Sequence, residues 1–252
     1  MRLNHRTTGP DDAPVVLLAS SLGTTHAMWA PQLDALSKNF RVIAFDHRGH
    51  GADEAPPGPY TIEDLGNDVV ELLNTTGAER ASYVGISLGG AVGLWLAQNA
   101  PDRFHRFALL CPPVNPAANA QTWIDRAALV RAEGAQAIVE ATLGRWFLPE
   151  YAEAHAEEVE VIRQQLLSTP AEGYAACCEA LSTLDLTAGL ADITAPVLLV
   201  TAEQDTSIPP ETVVPLAAGI PGAHLEILED AAHLVTYSDA DRINPLLLTH
   251  LG

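Results

Sequence analysis

The stretch VGISLGG, residues 84–90, joins two patterns that require different backbones. ASYVGIS (81–87) is nearly continuous in apolar residues, as in a strand buried on both faces. From Leu88 onward, Val92, Trp95, Leu96 and Asn99 fall at helical spacing, and Pro101 stands just beyond the end. The chain must therefore turn sharply from strand to helix at Ser87. A residue at such a turn takes a strained backbone, and the glycines of Gly85-x-Ser87-x-Gly89 remove side chains that would collide with it. The turn also aims the free amides of a helix N-terminus at any negative charge that develops beside Ser87. Gly-x-Ser-x-Gly arises by chance in roughly one chain in ten of this length, so its weight rests on this context. The alternative is a tight turn around a structural serine.

Working outward, PVVLLAS (14–20), RVIAFD (41–46), RFALLC (106–111), PVLLVTAEQD (196–205) and HLEILED (224–230) also read as strands. Helical patterns separate them. In TIEDLGNDVVELLNTTG (61–77), Ile62, Leu65, Val69 and Leu72 share a face and Gly77 ends the helix. Alternating strands and helices predict right-handed βαβ units, hence a mostly parallel sheet of about eight strands with helices on both faces. The alternation breaks once. No strand is read from Asn115 to Leu190, so residues 1–114 and 191–252 form an expected core and 115–190 a helical cap. Within that cap, TPAEGYAACCEAL (169–181) suggests a capping box with Thr169 as N-cap, Pro170 at N1 and Glu172 at N3.

A nucleophilic serine needs a base and an acid to orient it. His233, in EDAAHLVTYSD, follows the last expected strand, and Asp205, in TAEQDTSIPP, follows the strand before it. Ser87, Asp205 and His233 thus each stand on a loop at the carboxyl end of a strand, in the chain order of α/β-hydrolase triads. Glu203 is the rival acid, two positions earlier with a longer side chain. The amide of Leu88, next to the nucleophile, supplies one oxyanion donor. The second is expected from Leu22, in ASSLGTT (19–25). His47 and His50, in FDHRGHGADEAPPG (45–58), are three apart but lack a third ligand nearby. They read as part of a rigid loop that buttresses the site, with Arg48 paired to a carboxylate. No metal and no cofactor are expected, since acyl transfer by serine needs neither.

The chain has 252 residues, 48% of them hydrophobic, which suffices for a sizeable core. Thirteen Lys and Arg against 32 Asp and Glu leave a formal charge of −19, so nucleic acid and anionic membrane surfaces are poor partners. Cys111, Cys177 and Cys178 are odd in number and match no zinc spacing. They read as buried apolar side chains in a reducing compartment. The N-terminal residues show no signal-peptide pattern and no run reaches a membrane span, so the expected location is cytoplasmic. Oligomeric state is left open by the sequence.

The motifs SSLGTTHAMW, FDHRGHG, GISLGG, EQDTSIPP and AAHL give the chain a resemblance to the α/β-hydrolase superfamily along its full length. SLGTTHAMWAPQLDAL, PPGPYTIEDLGNDV, GRWF and TPAEGYAACCEAL resemble most the 3-oxoadipate enol-lactonases. Two positions depart from that pattern: Asp53 replaces a small Ser, and Ala202 a Gly. The resemblance implies hydrolysis of a small enol-lactone bearing a carboxylate, with Arg145 and Trp146 as substrate contacts. Chemistry agrees with this. A protein charged −19 repels an anionic lactone unless a local guanidinium meets the carboxylate. Arg145 in a surface salt bridge and Trp146 as core is the competing reading. The same triad would also suit a general carboxylesterase, a carbon–carbon bond hydrolase, or a ligand-binding protein built on this fold.

Overall fold

The computed structural model describes residues 2–51 and 55–252, so Asp53 lies outside the described residues. Seven strands form one sheet: β1 (His5–Thr8), β2 (Val15–Ala19), β3 (Arg41–Phe45), β4 (Ala81–Ile86), β5 (Phe104–Leu110), β6 (Val197–Ala202) and β7 (His224–Leu228). Their order is β1-β3-β2-β4-β5-β6-β7. Only β1 is antiparallel to its neighbour, pairing His5 with Phe45 and Thr8 with Val42. β4 lies between β2 and β5, and all six of its residues are buried. That position explains its continuous apolar run.

Helices α1 (Ala30–Leu36), α2 (Ile62–Thr75) and α3 (Leu88–Asn99) connect the first strands. The chain steps one way along the sheet from β2 to β3, then back past β2 to β4. Right-handed crossovers therefore put α1 and α2 on opposite faces. The strand order reverses between β2 and β4, and the crevice outside the carboxyl ends there is the usual ligand position in such sheets. In α2, Thr61 and Asp64 form a reciprocal capping box, and Ile62, Leu65, Val69 and Leu72 are buried. Gly77 ends the segment at φ 72.

Between β5 and β6 the described residues contain only helical elements: α4 (Ala120–Glu133), α5 (Val139–Trp146), α6 (Pro149–Ala154), α7 (Ala156–Ser168) and α8 (Ala171–Ser182), with short 3-10 turns. Tyr174, Cys177, Cys178 and Leu181 of α8 are buried, as is most of that helix. The capping box expected at Thr169 is not made. The helix begins one residue later, with Pro170 extended at its N-cap and no side-chain cap. Thr169 Oγ1 instead donates to the carbonyls of Gly23 and Gln165, each at 3.0 Å. Glu172 accepts the Gly58 N–H at 3.0 Å and pairs with Arg131. Both side chains are therefore engaged by other segments. Gly173 of α8 meets Gly49 backbone to backbone, so closely that a Cβ on either would collide with the other. This contact docks α8 against the loop after β3. After β6 come α9 (Pro210–Gly219), α10 (Val235–Ser238) and α11 (Ala240–Leu251). α2 packs on α3, and α1 on α11. No described helix is long and apolar enough to cross a membrane.

Candidate active site

Ser87 sits between β4 and α3 with φ 54 and ψ −114, a conformation L residues rarely adopt. Its neighbours explain how this is tolerated. A Cβ at Gly85 would strike the Gly89 carbonyl, and one at Gly89 would strike the carbonyl of Ala19. The elbow is tied down by hydrogen bonds from Ser87 N to Leu110 O at 2.9 Å and from Gly89 N to Ser20 O at 3.1 Å. Tyr83 adds one from its hydroxyl to Gly89 O at 2.7 Å.

Asp205 and His233 are both buried, and His233 Nδ1 donates to Asp205 Oδ2 at 2.6 Å. The other carboxylate oxygen accepts the N–H groups of Ser207 at 2.8 Å and Ile208 at 2.9 Å. Burial alone would raise the pKa of Asp205. The charge and hydrogen bond of His233, with the Ile208 and Ser207 amides, outweigh it and hold the carboxyl below its ordinary value. Glu203 is exposed and accepts the Asp230 N–H at 3.3 Å, which removes it from the role of orienting acid. Ser87 and His233 line one cavity of about 310 Å³. Of the two contacts expected of His233, that to Asp205 is formed. A hydrogen bond to Ser87 is not among those made by the described residues. Such contacts are often long without substrate and tighten when it binds.

Most backbone amides around the expected oxyanion donors already have partners. Ser21 N–H points at Met28 sulfur, Gly23 N–H at His50 Nε2, Thr24 N–H at Ser21 O and Gly89 N–H at Ser20 O. Among the described residues, no such partner holds the amides of Leu22 and Leu88. The loop carrying Leu22 is clamped by His47, whose Nε2–H donates to Ser20 O at 3.0 Å, and by His50, which accepts the Gly23 N–H at 2.9 Å. Burial, then the neighbouring His50, lowers the His47 pKa to about 4, and burial lowers that of His50. Both imidazoles are thus neutral struts. Gln165 of α7 accepts the Thr25 N–H at 3.0 Å from the other side. Arg48, between the two histidines, pairs with Asp68 of α2 at 2.5 Å and so ties the loop after β3 to that helix.

Arg145 and Trp146 both line the cavity. Trp146 is buried, its ring centroid 6.1 Å from that of His233, and its carbonyl accepts the Leu234 N–H at 3.1 Å. It therefore packs on the candidate base as well as walling the cavity. Arg145 is half-buried, and burial followed by the charge of Arg126 pushes its pKa down from the ordinary value. Arg126, also lining the cavity, is the residue that sequence reading passed over. Its guanidinium donates to Tyr174 Oη and Thr142 Oγ1, each at 2.8 Å. Among the described residues neither Arg126 nor Arg145 has a carboxylate partner; Arg41, Arg80 and Arg103 also lack one, but they donate to backbone carbonyls and do not line the cavity. The available signal was the Trp123-x-x-Arg126 spacing, which puts both residues on one helix face. Cys111 is a second omission. It is buried at φ 46, directly after β5, and its sulfur, Asp205 and His233 lie within 4.8 Å of one another. Burial, then the adjacent Asp205 charge, keeps the thiol protonated.

Residues 14–240 match the family described as alpha/beta hydrolase fold. The chain is 38% identical over 245 residues to 3-oxoadipate enol-lactonase 2 of Acinetobacter baylyi, covering 96% of this chain and 90% of that one. A Variovorax paradoxus protein, provisionally named a carbamate hydrolase, is 36% identical over 257 residues, covering 100% and 97%. The crystal structure of the enol-lactonase from Burkholderia xenovorans LB400 superposes with a TM-score of 0.94 at 39% identity, over 99% of this chain and 96% of that chain. Fold, strand order and sequence agree: the chain belongs to the α/β-hydrolase family.

Proposed function

We propose that this protein is a serine hydrolase that opens a small, carboxylate-bearing enol-lactone of the 3-oxoadipate type. The observation that carries this reading is the pair Arg126 and Arg145, without carboxylate partners among the described residues, facing the cavity of Ser87 and His233 in a chain charged −19. Two half-buried guanidiniums side by side are unfavourable until an anion enters. The helices of 115–190 act as a cap, supplying Thr122, Trp123, Arg126, Arg145 and Trp146 to that cavity. His233 Nδ1 is committed to Asp205, which leaves Nε2 to take the Ser87 proton. Ser87 Oγ attacks the lactone carbonyl, the Leu22 and Leu88 amides receive the oxyanion, and the ring C–O bond breaks. The enolate leaving group becomes a ketone, and water activated by His233 releases the acid. The resemblance to 3-oxoadipate enol-lactonases implies a place in aromatic-compound breakdown, and the three free buried thiols suit the cytoplasm.

A charge-assisted hydrogen bond contributes about 1.5–3 kcal/mol, so Arg145→Ala is expected to lower kcat/KM on the enol-lactone by roughly 10- to 150-fold. A neutral aryl ester of similar size should lose almost nothing. Arg145→Lys should recover only part, because an ammonium lacks the planar fork. Equal losses on both substrates would overturn the carboxylate reading. Faster turnover of a neutral carbamate ester than of the lactone would favour the activity named for the Variovorax relative.

A further inference from the structure

Beside the active-site cavity lies a second one of about 350 Å³. The two share Trp123, Ser207 and Ile208 as a common wall. Their linings differ in kind. The first carries Arg126, Arg145 and His233. The second has no charged side chain, although the chain holds 13 basic and 32 acidic residues. Its apolar surface comes from Pro113, Val114, Pro116, Trp123, Ile208 and Pro209. Three of these are prolines, whose fixed φ restricts the backbone at those points of the wall. The Val114 carbonyl is further tied to the Leu186 N–H at 2.9 Å, and Asn115 to Ala118 N–H and Asp185, each at 3.1 Å.

The first cavity is already at the small end of ligand sites, so a small lactone ring does not need the second. We infer that this second cavity is a subsite for an uncharged alkyl or aryl substituent on a lactone or ester whose carbonyl is held at Ser87. The protein then has a further activity, on neutral substituted lactones. Water adds across the ring ester bond through the Ser87 acyl-enzyme, the ring oxygen takes a proton, and the product is a hydroxy acid. The inference rests on Ser87 acting on a carbonyl in the first cavity. It does not rest on the guanidinium pair, since these substrates have no carboxylate.

The test uses two series on the full-length protein. γ-Butyrolactones with an α- or γ-alkyl group from methyl to pentyl report kcat/KM. The 2- and 3-alkylcyclopentanones, which cannot be hydrolysed, report Kd by calorimetry. Each methylene entering an apolar cavity is expected to improve both by about fourfold until the cavity is filled. Val114→Phe should flatten the slopes by occupying the space. Thr212→Phe, at an exposed rim position, should do the same without touching the core. Flat series in both probes would overturn the subsite, as would slopes that neither variant changes. Rising ketone affinity with no turnover of the neutral lactones would overturn the further activity, and turnover of the enol-lactone by the same protein decides separately whether the hydrolase reading holds.

Discussion

Ser87→Ala is expected to lower kcat/KM by roughly 10⁴- to 10⁶-fold with the fold intact, and His233→Ala by a similar amount. Neither change opens a cavity in the sheet, because both side chains face the site cavity. The Ser87 backbone is held by Leu110 and the Gly89 backbone by Ser20, whatever side chain stands between them. The two residues perform one proton transfer, so removing the second after the first has little left to abolish. The double variant should therefore be little slower than either single one. Circular dichroism and kcat/KM on the enol-lactone check this. Near-normal activity in Ser87→Ala would remove serine from the mechanism.

Asp205→Asn should lower turnover by about 10⁴-fold, and Glu203→Gln by less than about twofold. Asp205 Oδ2 accepts from His233 Nδ1 at 2.6 Å, which fixes the tautomer with a free Nε2. An amide at 205 offers an N–H there and favours the other tautomer. Its oxygen can still receive the Ser207 and Ile208 amides, so the loop keeps its shape. Glu203 points to solvent and holds only the Asp230 amide. Steady-state kinetics of the two variants settle the ranking, and the reverse order would give the role to Glu203.

The elements easiest to read were those whose pattern has one physical solution. A buried parallel strand followed by Gly-x-Ser-x-Gly leaves little choice but the elbow, and Asp205 and His233 stand where strand ends must turn. β1 was missed because HRTT carries no apolar alternation and is half-exposed at a sheet edge. About eight strands were expected, and the described residues hold seven. The Thr169 box failed because Thr169 and Glu172 had other partners, Gly23 and Arg131, that lie more than 40 residues away in sequence. Arg126 was invisible for a related reason. On a helix with many polar residues an arginine reads as solvated, and only the folded chain shows that it lines the same cavity as His233. Cys111 looked like a small apolar residue because nothing local reports its approach to Asp205.

The backbone of Ser87 also bears on heat tolerance. Holding a residue with a Cβ at φ 54 and ψ −114 costs about 1–3 kcal/mol, which glycine does not incur. Glycine adds about 0.5–1 kcal/mol of backbone entropy to the unfolded chain, so the net gain is roughly 1 kcal/mol. Ser87→Gly should thus melt about 2–4 °C above Ser87→Ala, although both are inactive. Scanning calorimetry of the pair measures the difference, and a lower Tm for the glycine variant would mean the elbow stores no strain. A positive result has a practical side. Thermal selection applied to this chain without an activity screen would drift toward glycine at position 87, enriching stable proteins that no longer turn over.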